Sequence, residues 1–545
     1  MRDLALRSIW GLILLGLLVR VLHQPTMAGT YNPRLDELLY AGQRLLEGQL
    51  LYDGLVNGTL PLAQWLYGPS AWMGSLVAHR LFIFGLNICG AWLLAVTLGN
   101  LARLGLLALA PASLLPLAGA ILFVTMAQLL PGGSSGLLEQ FANLFLLGAL
   151  FLLSHVAASA RERELLGSLP LAGAGVALVL AMAACPRWIG PVLTVAVAAP
   201  LALRFSRPLP VLMSLLGGGV VAFSLLFAPY LLVPGGPGQV WAGAMLLPLQ
   251  LARTFPPEIN RFLPLLGEVL RIRVAGLPVW LLASVPCLAL VGSTVRLGRQ
   301  QPWGLADRVL LMPALAMVFL LETMRAFLRG GLDIEEVQLL LVPLVIIMIC
   351  GFAVLEHSRL GQRATALVLV MLSLIIFNNV VVASVFHPPR QPRAAVRELE
   401  ADREATRRML LGQPESLRGF TAPQDVALQR QLRRRASTTG IGPQWSLNPN
   451  DLQPSWATRR LALPTDQAAS CEQLTDPANH YLVWMRTDPD GPNTEAFFRS
   501  CLDREPGQWR DISGELNLTS GQYRVFRRLA PPTSPPRLIP DRPLD

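Results

Sequence analysis

The chain has 545 residues, of which 52% are hydrophobic and 15% charged, with a mean hydropathy of +0.46 and a formal net charge of +10. Several apolar runs approach or exceed the roughly 20 residues that a helix needs to cross a bilayer, which excludes a single soluble globular domain. All 45 basic residues are arginine, and arginines that flank spans follow from membrane topology, so no nucleic-acid partner is implied.

The first apolar segment, "RDLALRSIWGLILLGLLVRVLHQ", lacks a small-x-small cleavage site and is followed by many spans. It therefore reads as a retained signal-anchor helix. Arg20 near its outer end fits a side chain snorkelling to the interface. Spans are expected near 6–22, 79–99, 104–129, 139–156, 166–184, 188–203, 209–233, 277–296, 308–324, 337–355 and 364–386. Residues 60–78 stay ambiguous: they are apolar enough to span, but Gln64, Gly68 and Pro69 favour an interfacial or re-entrant piece.

Orientation follows from the arginines. With the N-terminus inside, the short cytoplasmic ends hold Arg2, Arg7, Arg103, Arg161, Arg163, Arg204, Arg207, Arg296, Arg299, Arg308, Arg359 and Arg363 at high density. An odd number of spans, about eleven, then places the C-terminal tail outside, and a span at 60–78 would reverse it.

The first outside loop covers 23–78 and contains "YNPRLDELLYAGQRLLEGQLLYDG". Asn32 and Pro33 form a helix start and Gly48 a stop. Leu35, Leu38, Leu39, Gly42, Leu45 and Leu46 share one face. Asp36, Tyr40, Gln43 and Glu47 fall within about 40° of one another on another face. This is the pattern of a short amphipathic helix on the membrane surface with an acidic, aromatic wet face. A solvated face explains such charges in general, but a carboxylate gains nothing from anionic lipids.

Further along, Glu139 opens a span, where either a helix dipole or an acceptor could account for it. Arg187 sits in a tight outside turn, "ACPRWIGP"; Arg325 and Arg329 are spaced to share a helix face. Each arginine suits either a phosphate, which a guanidinium binds in bidentate fashion, or lipid headgroups. The loop at 234–276 mixes apolar and basic residues with proline breaks and suits interfacial helices or a plain surface loop.

The transmembrane part, 1–387, gives way to a charged helix and then to a small α+β module over 388–530. Its strands are expected at "NHYLVWMRT" and "GQYRVFRRL", with "NTEAFFRSCL" as a helix between them. Residues 531–545 form a Pro-rich flexible end. Cys471 and Cys501 can form a disulfide if this tail is extracytoplasmic. Cys89, Cys185, Cys287 and Cys350 read as small core residues. No spacing of metal ligands and no Gly-rich phosphate loop is present. No cofactor is implied, although the outside acids leave room for a weakly held divalent ion.

The order "DELLYAGQRLLEGQLLYDG", followed by "NGTLPLAQWLYGPSAWMGSLVAHRLFIFGLN" with Arg80 and Asn87, resembles the GT-C membrane glycosyltransferases. The likeness is to the bacterial relatives of protein O-mannosyltransferases and of the aminoarabinose transferase. It covers roughly residues 1–390 and is weaker at "GLLEQFANLFLLGALFLL", "ACPRWIGPVL" and "RGGLDIEEVQLLLVPLVIIM". It departs at "VNGTLP", where the family usually carries a Lys, and at Glu336–Val337, where it carries a His–Tyr-like pair.

The resemblance implies an all-α polytopic GT-C-like fold in the bacterial cytoplasmic membrane. It implies a polyprenyl-phosphate-linked sugar donor, transfer on the outer side, and a lipid, polysaccharide or protein acceptor. Asp36 matches the first acid of the family pair and would act as general base, supported by Glu37 and Glu139. Arg187, Arg325 and Arg329 would hold the phosphate. A polysaccharide polymerase or ligase, a transporter, and a scaffold without catalysis are the competing readings. A transporter would place ionisable groups along its span interiors, where this sequence has almost none.

Overall fold

The computed structural model describes residues 2–23, 60–73, 76–107, 113–130, 136–160, 168–203, 207–233, 236–240, 303–327, 334–356, 359–382, 481–485, 508–515 and 523–529 almost without a break, with single residues and pairs between these stretches. The chain divides into two compact units. One contains Met1–Gln24, Thr59–Leu62 and Arg80–Pro389; the other contains Pro25–Gly58, Ala63–His79 and Arg390–Asp545.

The first unit is a helical bundle. Its longer helices among the described residues are α1 (Arg2–His23), most of α3 (Leu76–Arg103), α4 (Leu115–Leu129), α5 (Leu138–Ala160), α6 (Ser168–Ala184), α7 (Ile189–Ala202), α8 (Pro208–Leu231), α9 (Trp303–Phe327), α10 (Leu341–Leu355) and α11 (Arg359–Phe377). Among the described residues, five stretches are long and apolar enough to cross a membrane: Ala78–Arg103, Leu138–Ser159, Pro208–Leu231, Val337–Leu355 and Gln362–Val382. The chain is thus a multi-pass membrane protein of mainly helical build. The outward sides of α7 and α8 carry Leu193, Val197, Leu201, Leu209, Leu216 and Leu225, all exposed, as a surface in contact with lipid requires. Val337–Leu355, which contains α10, is the most enclosed of the five.

Two boundaries differ from expectation. The apolar run at 104–129 is not one span: α3 ends at Arg103 and α4 begins at Leu115. Gly105, at φ +72°, donates its N–H to Ala102 O, while Leu106 N–H reaches back to Leu101 O. This pair of bonds closes a helix on a left-handed glycine, and hydropathy runs straight through it. Residues 277–278 of the expected span 277–296 instead form a strand, β2 (Leu277–Pro278), antiparallel to β1 (Arg273–Val274). The ambiguous stretch 60–78 contains a 12-residue helix, α2 (Leu62–Met73), with Pro69 inside it. At about 1.5 Å per residue that is too short to cross a bilayer.

Close packing ties the bundle together. At the α6–α8 crossing, a Cβ on Gly218 would lie 2.6 Å from Ala172 C, and a Cβ on Gly175 would lie 2.7 Å from Leu215 C. Only glycine lets two backbones approach this closely. α1 lies against the end of α11 and the π-turn that follows it (Asn378–Val382): Trp10 Nε1 donates to Ser373 Oγ at 2.8 Å, and a Cβ on Gly16 would lie 2.7 Å from Val381 Cγ2. Of the four described cysteines, Cys185 and Cys350 are buried, Cys287 is half-buried and Cys89 is exposed. The core expectation therefore fails for Cys89, which sits on the outer side of α3.

In the second unit, Leu38, Ala41, Gly42, Leu45 and Leu46 are helical, and Gly48 ends the turn at φ +82° with its N–H on Leu45 O at 2.9 Å. Leu38 and Ala41 are buried, and a Cβ on Gly42 would lie 2.5 Å from Tyr67 C, so the apolar face packs on α2. Gln64 Nε2 donates to Ala41 O at 3.3 Å. Leu46 stays 47% exposed, so the apolar face is narrower than its sequence period suggests. The C-terminal strands β3 (Thr438–Thr439), β4 (Tyr481–Met485), β5 (Trp509–Asp511) and β6 (Tyr523–Arg528) form one sheet in the order β3-β4-β6-β5, parallel only between β3 and β4. β4 and β6 fall on the two segments expected to be strands. Of the helix expected at 493–502, only Leu502 is described, and it is helical.

Candidate functional site

One end of the bundle carries two polar clusters. The first surrounds the start of α5. Glu139 lies in its first turn, where the helix dipole favours a negative charge, yet it is only 1% exposed. Burying a carboxylate is expensive unless partners hold it, so the dipole alone does not explain this residue.

Three amides stand beside Glu139. Gln140 Nε2 donates to Ala127 O at 3.4 Å. Gln338 Nε2 donates to Ala127 O at 3.3 Å and to Leu130 O at 3.5 Å. Asn143 Nδ2 donates to Gln338 O at 2.7 Å. The last carbonyls of α4 have no partner within their own helix, and these side chains satisfy them. The 3-10 turn Ile334–Leu340 is thereby fixed against α4 and α5. It belongs to the segment "RGGLDIEEVQLLL", so two stretches that resemble the GT-C family only weakly meet here.

The second cluster is the turn after α6. Pro186–Trp188 forms a 3-10 turn that leads into α7. Trp188 is fully buried; its Nε1 donates to Thr323 Oγ1 at 3.1 Å and its ring meets Phe319 edge-on, with centroids 5.3 Å apart. Thr323 Oγ1 in turn donates to Phe319 O at 2.8 Å. The turn is therefore locked to the last turns of α9. There Arg325 Nε and Nη2 each lie 2.8 Å from Glu322 Oε2. A Cβ on Gly190 would lie 3.5 Å from Arg325 Nη2 and 3.9 Å from Glu322 Oε2. Arg325 thus stands over the first turn of α7.

The expected phosphate residues are partly united. The Arg187 backbone and Arg325 belong to one locked turn-and-helix-end, and Arg329 lies outside the described residues. Glu139 belongs to the neighbouring cluster: α5 contacts α7, and α9 contacts the 3-10 turn Ile334–Leu340. Asp36, Glu37, Cys471 and Cys501 lie outside the described residues. Arg80 and Asn87 are 3% and 4% exposed, on the buried side of α3. In the second unit, His79 Nδ1 and Ser70 Oγ are 2.8 Å apart beside the Tyr67 ring. Among the described residues no three His, Cys, Asp or Glu side chains group to hold a metal ion.

Sequence reasoning passed over Gln140, Asn143, Gln338, Trp188, Thr323 and Glu322. For Gln140 and Asn143 a signal existed: two amides, three residues apart, inside an otherwise apolar span.

No protein-family profile matches the chain, and no curated protein matches it. Among solved structures it is similar to ArnT from Cupriavidus metallidurans bound to undecaprenyl phosphate, with 12% identity, coverage of 97% of this chain and 99% of that one, and a TM-score of 0.49. A likeness at that level transfers no residue role.

Proposed function

We propose that the protein is an integral membrane glycosyltransferase of the GT-C type, moving a sugar from a polyprenyl-phosphate donor to an acceptor hydroxyl on the outer side of the cytoplasmic membrane. The observation that carries the reading is the gathering, at one end of the bundle, of the Arg325–Glu322 ion pair over the start of α7, on the turn that holds Arg187, beside the amide cluster that holds the buried acid Glu139. The motif order around Asp36 adds independent support.

Each group has a chemical task. The acceptor oxygen forms a bond to the anomeric carbon as the bond from that carbon to the phosphate oxygen breaks. The acceptor proton passes to a carboxylate, for which Asp36 is the first candidate, with Glu37 and Glu139 orienting the acceptor. The departing lipid phosphate gains negative charge, which Arg187, Arg325 and Arg329 offset. The donor arrives through the bilayer, and its acceptor is a lipid, a polysaccharide or a protein.

The charged residues of the described helices lie within about two turns of a helix end, which favours chemistry at the membrane surface over a transport path through the bundle. The test is label transfer in membranes from a panel of radiolabelled polyprenyl-phosphate sugars, comparing wild type with Asp36→Asn. Transfer by wild type and loss in the variant at equal expression supports the reading and its base. Undiminished transfer in Asp36→Asn removes Asp36 as the base, and absence of transfer from every donor removes the enzyme reading.

A further inference from the structure

The ion pair at the end of α9 sits at the head of a lipid-facing seam. Gly190 brings the first turn of α7 against both of its members: a Cβ there would lie 3.5 Å from Arg325 Nη2 and 3.9 Å from Glu322 Oε2. Within about two turns of the pair, α9 exposes Val318 and Leu321, and α7 exposes Leu193 and Val197. Exposed apolar side chains on both helices mark a surface that lipid tails cover. The side chains of Arg325 and Glu322 are 60% and 32% exposed. They therefore stand where those tails give way to headgroups, the level at which a lipid phosphate lies.

Glu322 occupies one edge of the arginine. Its Oε2 is 2.8 Å from both Nε and Nη2 of Arg325, and Nη1 lies outside this contact. A guanidinium binds a phosphate through a pair of N–H groups. A phosphate on the Nη1 side lies about 7 Å from the Glu322 carboxylate, the sum of two charge-assisted contacts and the width of the planar group. A single exposed pair of this kind adds little stability. Its main consequence is electrostatic, for the anion that meets Arg325.

In the glycosyltransferase reading, that anion changes charge during the reaction. The donor is a phosphodiester with a single negative charge. Once the sugar has moved, the lipid phosphate is a monoester, carrying about 1.5 to 2 negative charges at neutral pH. Arg325 attracts the monoester more strongly, which favours retention of the spent carrier. A carboxylate at the far edge of the guanidinium repels each form in proportion to its charge, by about threefold in affinity per unit charge across a wet surface. We propose that Glu322 is a specificity-determining residue that biases the phosphate site against the spent lipid monophosphate and so favours its exchange for fresh donor. This rests on the glycosyltransferase reading and gives a role in it to an acid that takes no part in the bond-making step.

The test is equilibrium binding to the full-length protein in lipid nanodiscs, with undecaprenyl phosphate, a monoester, and with its methyl ester, a singly charged diester of the same lipid. Glu322→Gln keeps the shape and the oxygen that orients Arg325, and removes the charge. It is expected to tighten the diester about threefold and the monoester about five- to tenfold, so the preference for the monoester rises about two- to threefold. Glu322→Ala removes the same charge and carries the same expectation for that ratio if Glu322→Gln does not fold. Unchanged affinities, an equal factor for both lipids, or weaker binding of both would mean that Glu322 does not discriminate by charge. Each of these overturns the proposal and leaves the transferase reading standing. Wild type that binds neither lipid overturns the transferase reading as well.

Discussion

Replacing Gly218 with alanine tests the tightest helix crossing in the membrane unit. The added Cβ would meet the Ala172 carbonyl, 2.6 Å from its carbon against an ordinary contact of 3.4 Å or more. The obstacle is backbone, so no rotamer change relieves it. The carbonyl oxygen would lie closer still, so α6 and α8 must part by at least about 0.8 Å, a gap that forfeits a quarter to a half or more of each dispersion contact along the interface. Overpacking of this kind costs about 2–3 kcal/mol, a shift of roughly 30- to 100-fold in the folding equilibrium. Gly217, next in the chain, has nothing within 4 Å of its Cβ position. Gly217→Ala is therefore neutral, or favourable by up to about 1 kcal/mol through helix propensity. The assay is unfolding in mixed micelles with a rising fraction of dodecyl sulfate. If Gly218→Ala and Gly217→Ala unfold alike, the close α6–α8 approach is wrong.

Other expectations follow from the polar clusters. Trp188→Phe loses the bond to Thr323 and about 1 kcal/mol, and by loosening the turn that carries Arg187 it raises KM for the lipid donor more than it lowers kcat. Gln338→Leu removes the donor to Ala127 O and Leu130 O, which lowers stability by about 1–3 kcal/mol in the same micelle assay. Glu139→Gln keeps the shape and removes the charge; transfer is expected to fall by about 100-fold or more, and wild-type activity in this variant removes Glu139 from the mechanism. Arg325→Lys replaces a planar fork with a point charge and is expected to raise KM for the donor several-fold with little change in thermal unfolding.

Local features were legible in the sequence and distant pairings were not. The helix stop at Gly48, the apolar contact face of Leu38 and Gly42, and strands β4 and β6 all depend on neighbours a few residues away, which period and turn chemistry report. Gly105 shows the limit: it carries a recognisable helix stop, but the surrounding leucines dominate any hydropathy window. The amide cluster lies further out of reach, because Asn143 and Gln338 are 195 residues apart. Nothing in "EQFANLF" says that its amides cap α4. Likewise Arg187 and Arg325 each read as candidate phosphate ligands, while the Trp188–Thr323 bond that unites their elements spans 135 residues and leaves no mark in either segment alone.

The Trp10–Ser373 bond joins residues 363 positions apart. During synthesis at about 5–20 residues per second, α1 therefore waits roughly 20–70 s before its partner on α11 emerges from the ribosome. Throughout that interval the indole of Trp10 and the groove at Gly16 face lipid or an attending insertase. A truncation before Ser373 leaves the first helix undocked, so quality control that samples unpaired spans can recognise an unfinished chain by its beginning.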